Sequence, residues 1–344
     1  MILTSQAESL LQPVAAAAPC GADLEYDPAF LELERLVQGK PEQQMGNAVV
    51  PAQEPDWDAI VQRATALLGK TKDLRVAFHL TRALLNRDGF AGLRDGLAVL
   101  RGLVARFWHE LFPRLDPLEK DDPTFRTNIL LGLCEPATVI ERVRAIPLVA
   151  SRSFGRFNLR DLAIASGELP PAPDAAPPAS TAIDGAFAES PVADLQATAS
   201  SVRQSFEDLA ALETAVGAQV GLAHAPSFSS LSRLLRQAHK ILVARLELRG
   251  VKAASLQEGS TGPAATEPAP AAPAALARTV TSREEVAALF EHICDYYQHC
   301  EPSSPMPLLL QRCKRLVSAN FLDIVRDLAP DAVSQVEILR GRDN

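Results

Sequence analysis

The chain has 344 residues, 47% of them apolar and 5% aromatic, and a formal charge of −8 at pH 7. That length supplies two or three domains with real cores, and the abundance of Leu and Ala over aromatics favours packed helices over a β-sandwich or barrel. The acidic balance, without a long Lys/Arg run, argues against nucleic acid and anionic lipid as partners.

Cys20, Cys134, Cys294, Cys300 and Cys313 form an odd set without framework spacing, which reads as reduced thiols. The apolar stretch before Cys20 carries Glu8, lacks a basic start and places Pro19 directly before the Cys, so a cytoplasmic chain without a cleaved export signal is expected. Apolar runs are too short for a spanning helix.

In chain order, acidic residues from Asp23 to Asp27 lead into an amphipathic helix, and Gly39 to Pro55 lacks a helical period and reads as a long ordered loop. Helices are predicted over 57–68 and 73–85, with Gly69 closing the first in a left-handed cap. Leu93, Leu97, Leu100, Val104, Phe107 and Leu111 recur at alternating steps of four and three and form a core stripe. Residues 163–184 and 253–277 are rich in Pro and Ala and read as linkers. Between them, 202–220 and 231–248 form a helical hairpin around Gly217, Gly221 and Pro226. Two helices bury little surface, so this module needs short elements from 185–200 or a neighbour. After the second linker, Val286, Phe290, Ile293, Tyr297 and Cys300 make one stripe, with Cys294 pointing off it. Leu310, Cys313, Val317, Phe321, Ile324 and Leu328 make another on a helix led by Pro305. Leu309, Leu316, Leu322 and Val325 widen that apolar surface beyond what a module of this size can bury alone, which marks them as a candidate oligomer interface. The expected organisation is mainly α: an N-terminal helical domain at 1–162, a middle module at 185–252 and a C-terminal oligomerisation module at 278–344.

Motifs of chemistry fail on context. Gly69-Lys70-Thr71 imitates the end of a phosphate loop, but Ala64 stands where the first Gly belongs and a helix precedes it. Asp23, Glu25, Asp27 and Glu34 match some calcium-loop positions, yet Pro28 stands where the turn needs Gly. His109-Glu110 is followed by Pro113 where a zinc protease needs a second His. His292, Cys294, His299, Cys300 and Cys313 concentrate ligand types without a CxxC pair, so packed thiols are the expectation. No GxSxG elbow is present, and His79, between Phe78 and Leu80, reads as a satisfied core histidine. No catalytic, cofactor or metal residues are assigned.

Residues 19–60 resemble the ImpA N-terminal signature of the TssA family of type VI secretion proteins. Pro19, Cys20, Gly21, Asp23, Leu24, Tyr26, Asp27, Glu54, Pro55, Asp56 and Trp57 stand at the matching positions of a PCG-D-LEYD opening and an EPDW helix start. The resemblance continues in RFWHELFPRLD at 106–116 and in 296–331, which looks like the branch with a short C-terminal module. It implies a non-enzymatic assembly protein without a cofactor, forming a homo-oligomeric ring at the cytoplasmic side of the secretion apparatus. Its implied partners are baseplate subunits, spike, tube and sheath. A metal- or nucleotide-dependent enzyme and a chaperone for secreted substrates are the competing functions.

Overall fold

Helix starts along the first half of the chain are set by aspartates. The computed structural model describes residues 4–40, 43–45, 48–115, 121–171, 176–221, 225–251, 294 and 306–317. They fall into two compact units, Met1–Ala264 and Ala265–Asn344. The first opens with α1 (Thr4–Leu10), α2 (Pro28–Gln38), α3 (Trp57–Leu68) and α4 (Leu74–Phe107). Asp27, Asp56 and Asp73 each stand just before a helix and accept a backbone N–H, from Ala29, Ala59 and Arg75 respectively, so an orphan donor of each first turn is satisfied. Between α2 and α3 lies an antiparallel ribbon of β1 (Gln43–Met45) and β2 (Ala48–Val50), continued by a bridge between Lys40 and Gln53.

The chain then makes short elements: α5 (Thr124–Leu131), a 3-10 turn (Gly132–Cys134), a π-turn (Pro136–Ile140) and α6 (Glu141–Ala145). An antiparallel hairpin of β3 (Pro147–Ser151) and β4 (Gly155–Asn158) follows, then α7 (Leu159–Ala165) and α8 (Ser180–Glu189). Two long helices, α9 (Val192–Val220) and α10 (Ser229–Leu248), complete the unit.

One apolar core runs from Leu10 to Leu246. The C-terminal half of α4 supplies Leu93, Leu97, Leu100 and Val104, and α9, packed along α4, supplies Leu209, Leu212 and Val216. Helix α10 packs back on α9 through Leu231, Leu235, Ala238 and Leu242. Buried Ser201 and Ser205 donate to the carbonyls of Ala197 and Ser201 on their own helix, which lets α9 turn polar residues inward. Across the α4/α9 seam, Arg101 pairs with Asp208 at 2.7 Å.

Several expectations change in the folded chain. The helices read separately at 73–85 and from Leu93 are one element kinked at Gly89 (φ 63, ψ −136), a left-handed conformation that strains any residue with a Cβ. The kink frees carbonyls, and the Arg142 guanidinium donates to that of Asn86 at 2.8 Å. Leu111 is buried with the stripe although α4 ends at Phe107. Gly69 closes α3 with right-handed angles (φ −71, ψ −19), because the Leu67 carbonyl receives the N–H groups of Lys70 and Thr71 without a left-handed step. The 39–55 loop contains the β1/β2 ribbon, and the β3/β4 hairpin lies within the stretch 1–162 expected to form a helical domain. The middle hairpin starts ten residues early, at Val192, and shares its core with α4, so the stretches 1–162 and 185–252 lie in one compact unit. Within 163–184, α7 ends and α8 begins.

Of the second unit, Cys294 is helical and buried although it was expected off the stripe. The other described element is α11 (Met306–Val317). Leu309 and Leu316 lie on α11, Leu316 half-buried, and Cys313, expected on the packed face, is exposed. Leu322 and Val325 lie outside the described residues, as do the 253–277 linker, His292, His299 and Cys300.

Candidate functional site

The signature residues converge on a junction where three chain segments meet beside the ends of α1, α3 and α4. Residues 71–74 form its middle: the Lys72 N–H donates to the Cys20 carbonyl at 2.8 Å, the Phe112 N–H to the Lys72 carbonyl at 2.9 Å, and the Leu74 N–H to the Phe112 carbonyl at 2.8 Å. Gly21 faces Thr71 in this arrangement with φ +72, and a Cβ at Gly21 would stand 2.1 Å from the Lys70 carbonyl oxygen. The glycine of the PCG opening is thus required both by its backbone angle and by the close approach.

Two cations are buried in the junction, each 1% exposed. The Lys72 ammonium donates to the carbonyls of Leu10 and Leu68, both at 2.8 Å, and so caps the C-terminal ends of α1 and α3 at once. The Arg126 guanidinium donates to the carbonyls of Trp108, Leu111 and Pro113 just beyond α4, the last at 2.7 Å, and lies 4.9 Å from the centre of the Trp108 ring. Burial pulls the Lys72 pKa down and that of Arg126 to about 10, which leaves Arg126 a cation at neutral pH at some desolvation cost. The Cys20 thiol, 1% exposed, is pushed up to about 11, first by burial and then by Glu110. It stays protonated at neutral pH and offers no thiolate nucleophile.

Further signature residues tie this junction to α2. Leu24 packs on the core, the Asp23 side chain accepts from the Glu25 N–H at 3.0 Å, and Glu25 reaches Arg75 at 3.3 Å. Arg75 also pairs with the nearly buried Asp73 at 2.8 Å and lies 4.7 Å from the centre of the Phe30 ring. The Pro19 carbonyl accepts from the Val14 N–H, and Trp57 packs on the core behind its Asp56 cap. Pro55 is half-buried, while Glu54 and Tyr26 are exposed, Tyr26 at 86%. The structure therefore gathers Cys20, Gly21, Asp23, Leu24 and Asp27 near one seam and leaves Tyr26 and Glu54 on the surface.

Sequence reasoning passed over Lys72, Asp73 and Arg126. Lys72 stands between a helix end and an aspartate cap, and of its two acceptors only the Leu68 carbonyl is local; that of Leu10 is 62 positions away. His79, read as a satisfied core histidine, is half-buried with Nε2 3.0 Å from Glu34, whereas its Nδ1 is buried without a hydrogen-bond partner. The hydrogen bond from His79 holds the Glu34 carboxyl below the usual range against the opposing effect of burial. Among the described residues, no three His, Cys, Asp or Glu side chains gather as a metal would need, and no helix is long and apolar enough to cross a membrane. A groove of about 460 Å³ between α7, α8 and α10 is floored by Leu162, Ile183, Ile241 and Ala244, and its Arg245 is paired with Asp184 at 2.6 Å.

The chemistry of this site is structural: buried cations and aspartate caps hold helix ends, and its thiol is inert. Comparison with known proteins agrees with that character. The model of the family described as ImpA, N-terminal, type VI secretion system matches residues 11–135, the stretch that contains the junction apart from α1. The type VI secretion system component TssA1 of Pseudomonas aeruginosa is 42% identical over 340 residues, covering 96% of this chain and 97% of that protein. A solved N-terminal domain of the TssA component from Burkholderia cenocepacia, which includes the conserved ImpA_N region, superposes with a TM-score of 0.58 at 26% identity, covering 72% of this chain and 95% of its own.

Proposed function

The chain belongs to the TssA family of type VI secretion components, and from that premise we propose that it is an assembly subunit acting at the baseplate and assisting tube and sheath growth. The observation that carries this reading is identity along nearly the full length of a type VI component, 96% of this chain, and not in one domain alone. In this reading the module at 278–344 closes a homo-oligomeric ring through Leu309, Leu316, Leu322 and Val325. The unit Met1–Ala264 engages baseplate, spike, tube and sheath proteins from the cytoplasmic side of the apparatus. The stretch 253–277, with its prolines and small residues, serves as the tether, so several copies of the engaging unit surround one assembly site at raised effective concentration. The protein holds its own helix ends with aspartates and buried cations, which suits a scaffold whose task is to present a rigid surface.

Deleting the gene from a producing strain and following fluorescent sheath protein tests this. Loss of sheath assembly, restored by the wild-type chain, is expected; unchanged sheath assembly in the deletion strain overturns the reading. The ring is tested separately by Leu309→Asp with Leu316→Asp. A desolvated carboxylate without a partner costs several kcal/mol, so light scattering should report a smaller species with retained helix.

A further inference from the structure

We propose that the surface around Arg82 on α4, beside α2 and the turn after α5, receives a carboxylate side chain of a partner protein, with an apolar neighbour of that carboxylate resting against Leu131. The inference rests on the function proposed above and names the surface by which the first unit would hold one of its partners.

Its first support is a cation without an anion. Arg75, Arg87, Arg94, Arg203 and Arg245 each have a carboxylate oxygen within 3.5 Å. Arg82 is half-buried, yet it makes no side-chain hydrogen bond or ion pair among the described residues, and its guanidinium carbon lies 5.9 Å from the centre of the Phe78 ring. The nearby Glu34 carboxylate is taken by His79 at 3.0 Å. Burial lowers the Arg82 pKa and Glu34 offsets this in part, which is the signature of a charge that has lost water without a bonded counter-ion.

The second support is a second guanidinium nearby that is only partly satisfied. Asn86, one helical turn or ~5.4 Å along α4 from Arg82, donates through its side chain to the Arg82 carbonyl, and its own carbonyl receives Nη2 of Arg142. Arg142 Nε is buried without a hydrogen-bond partner. The third support is apolar. The Phe78 ring reaches Gly132, its Cζ 2.6 Å from where a Cβ would stand, and the adjoining Leu131 is 38% exposed. Phe125, at the start of the same helix, is 56% exposed. A planar guanidinium prepared for bidentate binding, an aromatic ring near it and an exposed leucine next to the glycine that ring reaches make the composition of an interface anchor. Apolar neighbours on a chain of charge −8 select a protein carboxylate over a nucleic-acid phosphate.

The test uses the full chain in producing cells with the photo-crosslinker p-benzoylphenylalanine at position 131. The expected product is a crosslink to another secretion subunit, mapped by mass spectrometry to a peptide containing Asp or Glu. Arg82→Glu should lower its yield at least about tenfold, Arg82→Lys should lower it less, and replacing the mapped carboxylate by Arg should restore it in the Arg82→Glu background. Arg82→Ala, which removes no side-chain hydrogen bond among the described residues, should retain the wild-type melting temperature and lower the yield likewise, so the result stands if the charge reversal fails to fold. A crosslink indifferent to Arg82, a crosslink to a second copy or to nucleic acid, or none at all overturns the proposal. Sheath assembly in the same cells reports on the function reading independently, so normal assembly without the crosslink removes this surface alone.

Discussion

Replacing Arg126 with Met probes the junction most directly, because the two side chains have similar reach and only the donors disappear. Three carbonyls, of Trp108, Leu111 and Pro113, lose the charged donor in a position where the side chain is 1% exposed. Hydrogen bonds to a charged group contribute roughly 1.5–3 kcal/mol each, so the gross loss is roughly 5–9 kcal/mol. Removing a buried cation recovers several kcal/mol of desolvation, the same effect that pulls the Arg126 pKa to about 10. The difference leaves a net destabilisation of about 3 kcal/mol, within the range for breaking a buried charged interaction. Urea unfolding of the full chain followed by far-ultraviolet circular dichroism reads this as a lower midpoint at unchanged slope. Arg126→Lys should fall between the two, since a compact ammonium keeps the charge but cannot reach all three carbonyls from one point. A Met variant within about 0.5 kcal/mol of wild type, the range of ordinary surface substitutions, refutes the view that this fork holds the end of α4.

Gly21→Ala should destabilise by more than the ~1–2 kcal/mol of a left-handed residue, because its Cβ also meets the Lys70 carbonyl; a melting curve equal to wild type would show that the segment can shift freely. Glu34, held below its ordinary 4.5 by His79, contributes stability that is fully present above that pH and is lost as pH falls through its lower folded value; Glu34→Gln should flatten the acid limb of stability against pH. A double-mutant cycle on Arg101 and Asp208 should give a coupling under about 1 kcal/mol, because Arg101 is 46% exposed, and a larger value measured by denaturation would mean that the α4/α9 seam excludes water there. Limited proteolysis should cut within 253–277 and leave 185–252 attached to 1–162, since α9 and α4 share one core; early cleavage between α9 and α10, separating them, would contradict that packing.

Helical periodicity was legible because α9 and α10 each bury one face, and within the more widely buried α4 the spacing of Leu93, Leu97, Leu100 and Val104 follows directly from 3.6 residues per turn. Aspartate caps were legible for the same local reason: Asp27 and Asp56 satisfy donors two or three residues away. The β1/β2 and β3/β4 ribbons were not, since strands of three to five residues have too little period to recognise and are held by pairing with each other. The packing of the middle hairpin on α4 left no local mark, because the Pro- and Ala-rich stretch before α8 lowers local apolar content, while the surface that joins α9 to α4 is spread over residues more than a hundred positions apart.

By itself the sequence determined the mainly α class, the main helices and the family signature, all of which depend on residue identity over short spans. Tertiary structure alone decided that Lys72 and Arg126 close the ends of three helices, that the middle hairpin joins the N-terminal core, and that Arg82 lies half-buried without a hydrogen bond or ion pair to a carboxylate among the described residues. The physical reason is the range of the forces involved: a cap or an apolar stripe is satisfied within a few residues, whereas a buried cation is stable only where distant carbonyls converge on it, and that convergence exists only after the chain has folded.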